Sequence, residues 1–410
     1  MSQYKIAFTL KQHTPLIHFQ SDQSGATLRA TELKPKLDRF LLEHVEGLPF
    51  RENANGHKSL EYKISIIANP ADIKTERIEK VNNRNGKDIN DPLFFGNLKP
   101  RSMSIEEFEE RRKKFRIHNK NFKIIFFSFD SVLLEAIENN FEGFLANTNF
   151  GTRQSKGFGS FYLVDKENGR MKQFDSSLIP HKVYSFSSKK NTYRDDIKLF
   201  YSFLRQGINY PKGIGICPET RFYTKPAIFS YAKSKGWTWE KKVIKQHYFP
   251  SKLEKDMVCR GDVDILTHSS EEKYLLRDIF GLSSSQEWMS YGKTITKEGI
   301  STERINNKNV VKVQRFKSPI TFKPIMNDEQ NMTIYFWAND TVDNILNEPF
   351  KVKQNNHGDL RLLTPVDFDF DAFFEFALNI DLTTHIQQQF HNTNEYKKLQ
   401  RIFKDIKESK

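Results

Sequence analysis

Residues 147–161 read Asn-Thr-Asn-Phe-Gly-Thr-Arg-Gln-Ser-Lys-Gly-Phe-Gly-Ser-Phe, and they constrain the chain more than any other stretch. Apolar residues at helical spacing run up to it: Val132, Leu133, Ala136, Ile137, Phe141, Phe144 and Leu145, with Asp130 or Ser131 as N-cap. An apolar strand, 161–164, leaves it. Between them Gly151, Gly157 and Gly159 permit positive φ and close backbone approach, and Thr152, Arg153, Ser155 and Lys156 supply hydroxyls and positive charge. Exposed amides and cations in such a loop suit a chain of phosphates. Two nucleotide motifs fail here. A P-loop needs Gly-Lys-Ser/Thr, but Lys156 precedes Gly157 and Phe158 follows it. A dinucleotide fingerprint needs a third glycine where Tyr162 stands, and a strand before the loop rather than a helix.

The 410 residues allow two or three domains. Lys and Arg outnumber Asp and Glu by 64 to 51, a net charge of +13 that favours a polyanionic partner. Cys217 and Cys259 are the only cysteines, too few for a disulfide framework or a four-cysteine zinc site. No signal-peptide pattern opens the chain and no apolar run spans a membrane, so a cytoplasmic protein is expected.

Residues 5–11 alternate as a half-buried strand, with Ile6, Phe8 and Leu10 on one face. Thr14-Pro15-Leu16 opens a polar loop, and a helix of about eleven residues is expected from Pro35, placed in its first turn. A second strand is expected over 61–68, and a central strand buried on both faces over 123–129. With the helix over 132–146 and the strand after the loop, the order is β-α-β-β-α-β, the ferredoxin-like arrangement also found in RNA-recognition motifs. About fifty residues (69–121) are inserted between strands two and three. They carry Arg84 and Lys87, Asp91-Pro92-Leu93-Phe94-Phe95-Gly96, and a basic piece read as helical: Arg111, Arg112, Lys113, Lys114 and Arg116.

Residues 150–160 resemble the glycine-rich loop, G-x-R-x-[KR]-G-F-G-S, of the RAMP superfamily, the RNA-binding subunits of CRISPR effector complexes. The resemblance extends to the insertion, which in that family is a thumb-like element lying across the guide–target duplex, and to the Leu-Phe-Gly phrase within it. Later segments return to similar phrases. Residues 275–282 echo 91–96. Helices are expected over 195–206 and 370–389, and strands over 315–322 and 332–338. The expected fold is therefore α+β: two tandem ferredoxin-like, RRM-like domains, 1–170 with the glycine loop, and 180–410 as a degenerate second copy. The second ends in a basic helix with Tyr396, Leu399, Ile402, Phe403 and Ile406 opposite Lys397, Lys398, Arg401 and Lys404, read as a docking or solvated face. A duplicated chain of this kind, with Thr14-Pro15-Leu16 and residues 25–40 in the places of a family signature, resembles the two-domain head subunit of type III-B (Cmr-type) complexes.

That resemblance implies RNA binding without catalysis and without a cofactor. The partners it implies are a CRISPR RNA, its paired target RNA and other RAMP subunits, with no membrane. Amides of Gly151, Gly157 and Gly159 would approach phosphates, Arg153 and Lys156 would neutralise them, and Phe158 would stack or wedge against a base. Arg29, Lys34, Lys36 and Arg39 would widen the basic surface, while Arg84, Lys87 and the 111–116 cations would guide the distal strand. The alternatives are a RAMP endoribonuclease and a scaffold binding only protein. For a target-slicing enzyme Asp88 and Asp91 are the candidates, but Asn-Asp-Pro reads as a turn. For guide processing a histidine base is required, and His13, His18 and His57 are scattered.

Overall fold

The computed structural model describes residues 4–17, 27–54, 56–77, 80–82, 88–90, 104, 114–165, 167–211, 219–251, 268–288, 292–305, 308–355 and 357–409. Arg84, Lys87, Asp91, His18, both cysteines and the cations at 111–113 lie outside these residues. The described chain mixes helices and strands and divides into two compact units. One comprises Met1–Arg194 with Phe322–Phe336; the other comprises Asp195–Thr321 with Trp337–Lys410. The first unit thus takes back a segment from far beyond the expected boundary near 180.

Four strands form the main sheet of the first unit: β1 (Lys5–Gln12), β2 (Lys63–Ile67), β5 (Phe122–Phe127) and β6 (Phe161–Leu163). Their spatial order is β6-β1-β5-β2, antiparallel throughout. Phe8 and Leu10 are buried as their alternation requires. β5 is central, but it is not buried on both faces. Phe122, Ile124 and Phe126 point into the core, whereas Lys123 is exposed and Ile125 and Phe127 are half-exposed. The unbroken apolar run hid this alternation because both faces carry apolar residues.

Helix α1 (Ala30–His44) begins five residues before Pro35, which lies inside it and leaves one backbone acceptor without its usual donor. Helix α2 (Ser131–Asn147) starts where the side chain of Asp130 accepts the amides of Val132 (2.9 Å) and Leu133 (3.2 Å). A run of rings ties sheet, helix and loop together. Phe8 meets Phe141 at 4.7 Å, Phe141 meets Phe126 at 5.1 Å, and Phe150 lies 6.0 Å from Phe144 and 5.7 Å from Phe161.

The insertion leaves and rejoins the sheet as an antiparallel ribbon of β3 (Ile73–Arg77) and β4 (Lys114–His118). Lys114 and Arg116 therefore belong to a strand, not to the expected basic helix. Arg116 is buried, and its backbone exchanges hydrogen bonds with Leu16 (2.8 and 3.0 Å). Gln12, wholly buried, clamps the ribbon to β1. Its amide donates to the carbonyls of Thr14 (2.9 Å) and Arg116 (2.8 Å), and its oxygen accepts the amide of His118 (2.8 Å). Asp88 also departs from its expected turn: Asp88–Asn90 pairs with Lys80–Asn82 as a hairpin.

A second sheet orders β7 (Tyr184–Lys189), β9 (Asn331–Ala338) and β8 (Ile320–Met326), with β9 in the middle. The second unit holds an antiparallel sheet of Ser285–Trp288, Lys293–Gly299, Pro349–Gln354 and Leu360–Leu363 in sequence order, which the residue pattern did not signal. The long helix expected over 370–389 is two pieces, Phe370–Leu378 and Leu382–His385, because the Asp381 side chain caps a new start on the amide of Thr383. The last helix, Asn394–Glu408, buries the five apolar residues expected of it. No helix among the described residues is long and apolar enough to cross a membrane.

Candidate nucleic-acid interface

The glycine loop is a closed turn whose ends meet: the Phe150 amide donates to the Gly159 carbonyl (2.9 Å), and Asn149 bridges Ser160. The segment 14–17 forms one wall. The amide of Thr152 donates to Ile17 O (2.8 Å), that of Gly159 to Pro15 O (2.9 Å), and that of Ser160 to Thr14 Oγ1 (2.9 Å). Such approaches require glycine. A Cβ on Gly151 would sit 2.6 Å from Ile17 O, and one on Gly159 would sit 1.9 Å from Phe150 O, both at positive φ.

Strand β8 forms the floor. The Phe322 amide donates to Ser155 O (3.2 Å), and Asn149 Nδ2 donates to the carbonyls of Gln154 and Phe322 (both 2.8 Å). Lys323 is completely buried. Its ammonium donates to the carbonyls of Leu145 (2.7 Å), Thr148 (2.8 Å) and Phe161 (3.1 Å). The first two close the carboxyl end of α2, where the helix dipole is negative and a cation is favoured. Burial, and then the charge of Lys36, hold the Lys323 ammonium well below the ordinary lysine range. From the other side Lys36 Nζ reaches Asn149 O and Gln154 Oε1 (both 2.9 Å) and Glu32 (3.3 Å), and lies 4.8 Å over the Phe150 ring. Burial lowers its pKa, opposed by Glu32.

These contacts revise the roles expected of the loop. The amides of all three glycines are engaged within the protein: Gly151 with Glu32 Oε1 (2.5 Å), Gly157 with Gln154 O (3.4 Å) and Gly159 with Pro15 O. Phe158 is 1% exposed and belongs to the core, so it offers no face to a base. Ser155 is buried as well. Thr152, Arg153, Gln154 and Lys156 are the half-exposed loop residues. Arg153 holds φ 60°, uncommon for a residue with a Cβ and a form of strain that clusters at functional sites. Of the α1 cations, Lys36 joins the loop as an internal clamp and Lys34 does not. Lys34 pairs with Asp38 (2.8 Å) and lies 4.1 Å over the Tyr62 ring. Arg29 precedes the first helical residue and is half-exposed, while Arg39 is exposed. Glu32, Asn149 and Lys323 were missed. Lys323 lies next to Phe322 in a strand, where alternation assigns it to the wetter face.

His13 is buried. Its Nδ1 accepts the amide of Met326 (2.9 Å), which places the ring proton on Nε2. Burial, aided by Lys323 and Lys11, pushes its pKa from 6.5 down to about 3. A lowered folded-state value means that the neutral form stabilises the fold above pH 6.5, and that this is lost as acid protonates the unfolded chain. About 2 kcal/mol should therefore disappear between pH 8 and pH 5 through this group alone. Asparagine offers a similar acceptor that does not titrate, so His13→Asn should flatten that share of the pH dependence in urea midpoints. An unchanged slope would assign it to other groups. Among the described residues no three His, Cys, Asp or Glu side chains come together as a metal site.

Residues 3–208 match the Cmr1 N-terminal domain, and residues 223–408 match the Cmr1 C-terminal domain. The chain belongs to the Cmr1 family. It is a Cmr1-type subunit with the glycine loop inside the first match and β8, the floor of that loop, inside the second. No curated protein matches it in sequence. A solved structure described as the cryo-EM structure of the type III-B Cmr-beta bound to cognate target RNA holds a chain aligning with 91% of this Cmr1-type subunit and 98% of its own length. The identity is 10% and the TM-score 0.37, too loose to add to the assignment.

Proposed function

We propose that the chain is an RNA-binding subunit of a type III-B CRISPR effector complex, contacting guide RNA and paired target RNA through the glycine-loop face, with other RAMP subunits as neighbours. Family membership carries the class. The observation that carries the RNA contact is the placement of Arg153 and Lys156 half-exposed on a loop whose backbone is fixed from two sides. Recognition would then rest on side-chain charge at preset positions, with base pairing supplying sequence specificity. The strand order β6-β1-β5-β2, with α1 and α2 as crossovers, supports a ferredoxin-like reading of the first unit. The order β7-β9-β8 supports a partial second copy. We read the subunit as a binder rather than a nuclease. His13, a candidate base at the first loop, is buried with Nδ1 engaged by the Met326 amide.

Replacing both loop cations, Arg153→Ala/Lys156→Ala, should weaken binding of single-stranded RNA and reduce the slope of log K against log salt by about 1.4, two phosphate contacts at 0.7 each. Fluorescence anisotropy across a salt series reads this directly. An unaltered slope would remove the loop from the interface. Labelled target RNA should stay intact with or without magnesium, and specific cleavage by the purified subunit would restore the endoribonuclease reading.

A further inference from the structure

A cleft of about 580 Å³ lies in the second unit, remote in sequence from the glycine loop. Its walls come from the helix Tyr193–Arg205, the hairpin Ile208–Pro211/Thr220–Thr224 and the last helix, Asn394–Glu408. Five cations line it: Lys198, Arg221, Lys397, Lys398 and Arg401. Asp195 and Glu395 are the carboxylates of the wall. A third carboxylate, Asp196, is fully buried behind it and pairs with Arg401 (2.5 Å) and Lys398 (3.6 Å). A buried anion gripping two half-exposed cations fixes where those charges stand, which is how a protein prepares an anion site in advance. Arg221 is held by Glu395 (2.9 Å) and lies 5.2 Å over the Tyr210 ring, giving the rim a planar cation–aromatic element.

We propose that this cleft is a second RNA contact, taking the phosphates of a single-stranded stretch on Lys198, Lys397, Lys398 and Arg401, with a base against the Tyr210–Arg221 edge. The sequence pattern reads the last helix as a docking or solvated face. The cleft changes that reading, because cations from two helices and a hairpin converge on one concavity with the volume of a nucleotide-sized site. Single-stranded RNA fits better than an acidic peptide, since the aromatic element offers stacking that a carboxylate chain cannot use.

The inference rests on the RNA-binding reading, so the test separates the two. The 410-residue chain is titrated with fluorescent oligouridine over a salt series, as wild type, as Lys198→Ala/Lys397→Ala and as Arg153→Ala/Lys156→Ala. The cleft pair leaves the buried Asp196–Arg401 contact intact and places alanine in helices, and an unchanged thermal melt verifies the fold. The expected result is affinity roughly five- to tenfold weaker and a salt slope reduced by about 1.4 for the cleft pair. A cleft pair that behaves as wild type while the loop pair weakens binding overturns the cleft proposal alone. A wild-type chain with no salt-dependent affinity overturns both. Ultraviolet cross-linking of 4-thiouridine RNA should mark a peptide containing Tyr210, and cross-links confined to the first unit would count against the cleft.

Discussion

Gly159→Ala is expected to lower the stability of the first unit by about 3–5 kcal/mol, the larger part from collision and the rest from backbone strain. The added methyl would lie 1.9 Å from the Phe150 carbonyl oxygen, and backbone, unlike a flexible side chain, cannot swing aside. A φ of +66° adds the cost of holding a residue with a Cβ in the left-handed region. Gly169 is the internal control. Its φ is +69° and nothing lies within 4 Å of its would-be Cβ, so alanine there should cost only about 1 kcal/mol. A thermal melt should show Gly159→Ala down by roughly 10 °C and Gly169→Ala down by a few degrees. Equal melts would mean that the loop opens to admit the methyl.

Lys323→Met should cost about 2–4 kcal/mol. Methionine replaces the stem volume, so the loss is polar: three carbonyls lose the ammonium, and although Leu145 O keeps the Thr148 amide, those of Thr148 and Phe161 are each worth about 1–3 kcal/mol if left bare. Removing a buried charge offsets part of this, because the ammonium has no carboxylate among its three hydrogen-bond acceptors and has given up its water. The carbonyls outweigh that relief by number. Urea midpoints at neutral pH decide the matter, and a variant as stable as wild type would show that water takes the lysine's place.

The local layer of this protein was legible in its sequence. β1, α2 and the last helix form where alternation or helical spacing places them, and their buried faces are the expected ones except at Val132, which is exposed, and Ile6, which is half-exposed. The glycine loop begins and ends where the pattern changes. What escaped is pairing over long separation. Nothing in Ile320–Met326 announces that its amides and its lysine belong under a loop some 170 residues earlier, because a strand's pattern reports which faces are apolar and not whose backbone it meets. The glycines were ambiguous for a related reason. Positive φ and a missing Cβ serve a phosphate and a neighbouring carbonyl equally well, and here the carbonyls of Pro15, Ile17 and Phe150 occupy that space. Arg116 and Phe158 show the converse limit. Both sit in stretches whose composition looks wet or exposed, yet both are buried, Arg116 with its carbonyl taken by the Gln12 side chain.

The contact between His13 and Met326 spans 313 residues, and it bears on the order in which a ribosome delivers this protein. Strands β1 to β6, with α1 and α2, are complete once residue 163 has been made. The carboxyl end of α2 must then wait for Lys323, and the loop for Phe322, while another 160 or so residues are translated. Over that interval the nascent chain presents the Thr148 and Phe161 carbonyls without the Lys323 ammonium, and a glycine loop held only from the side of residues 14–17 and Lys36. Closing so long a circuit is the slow kind of folding step. The glycine loop therefore acquires its final shape only after Phe322 and Lys323 have been made, long after the sheet and helices it joins.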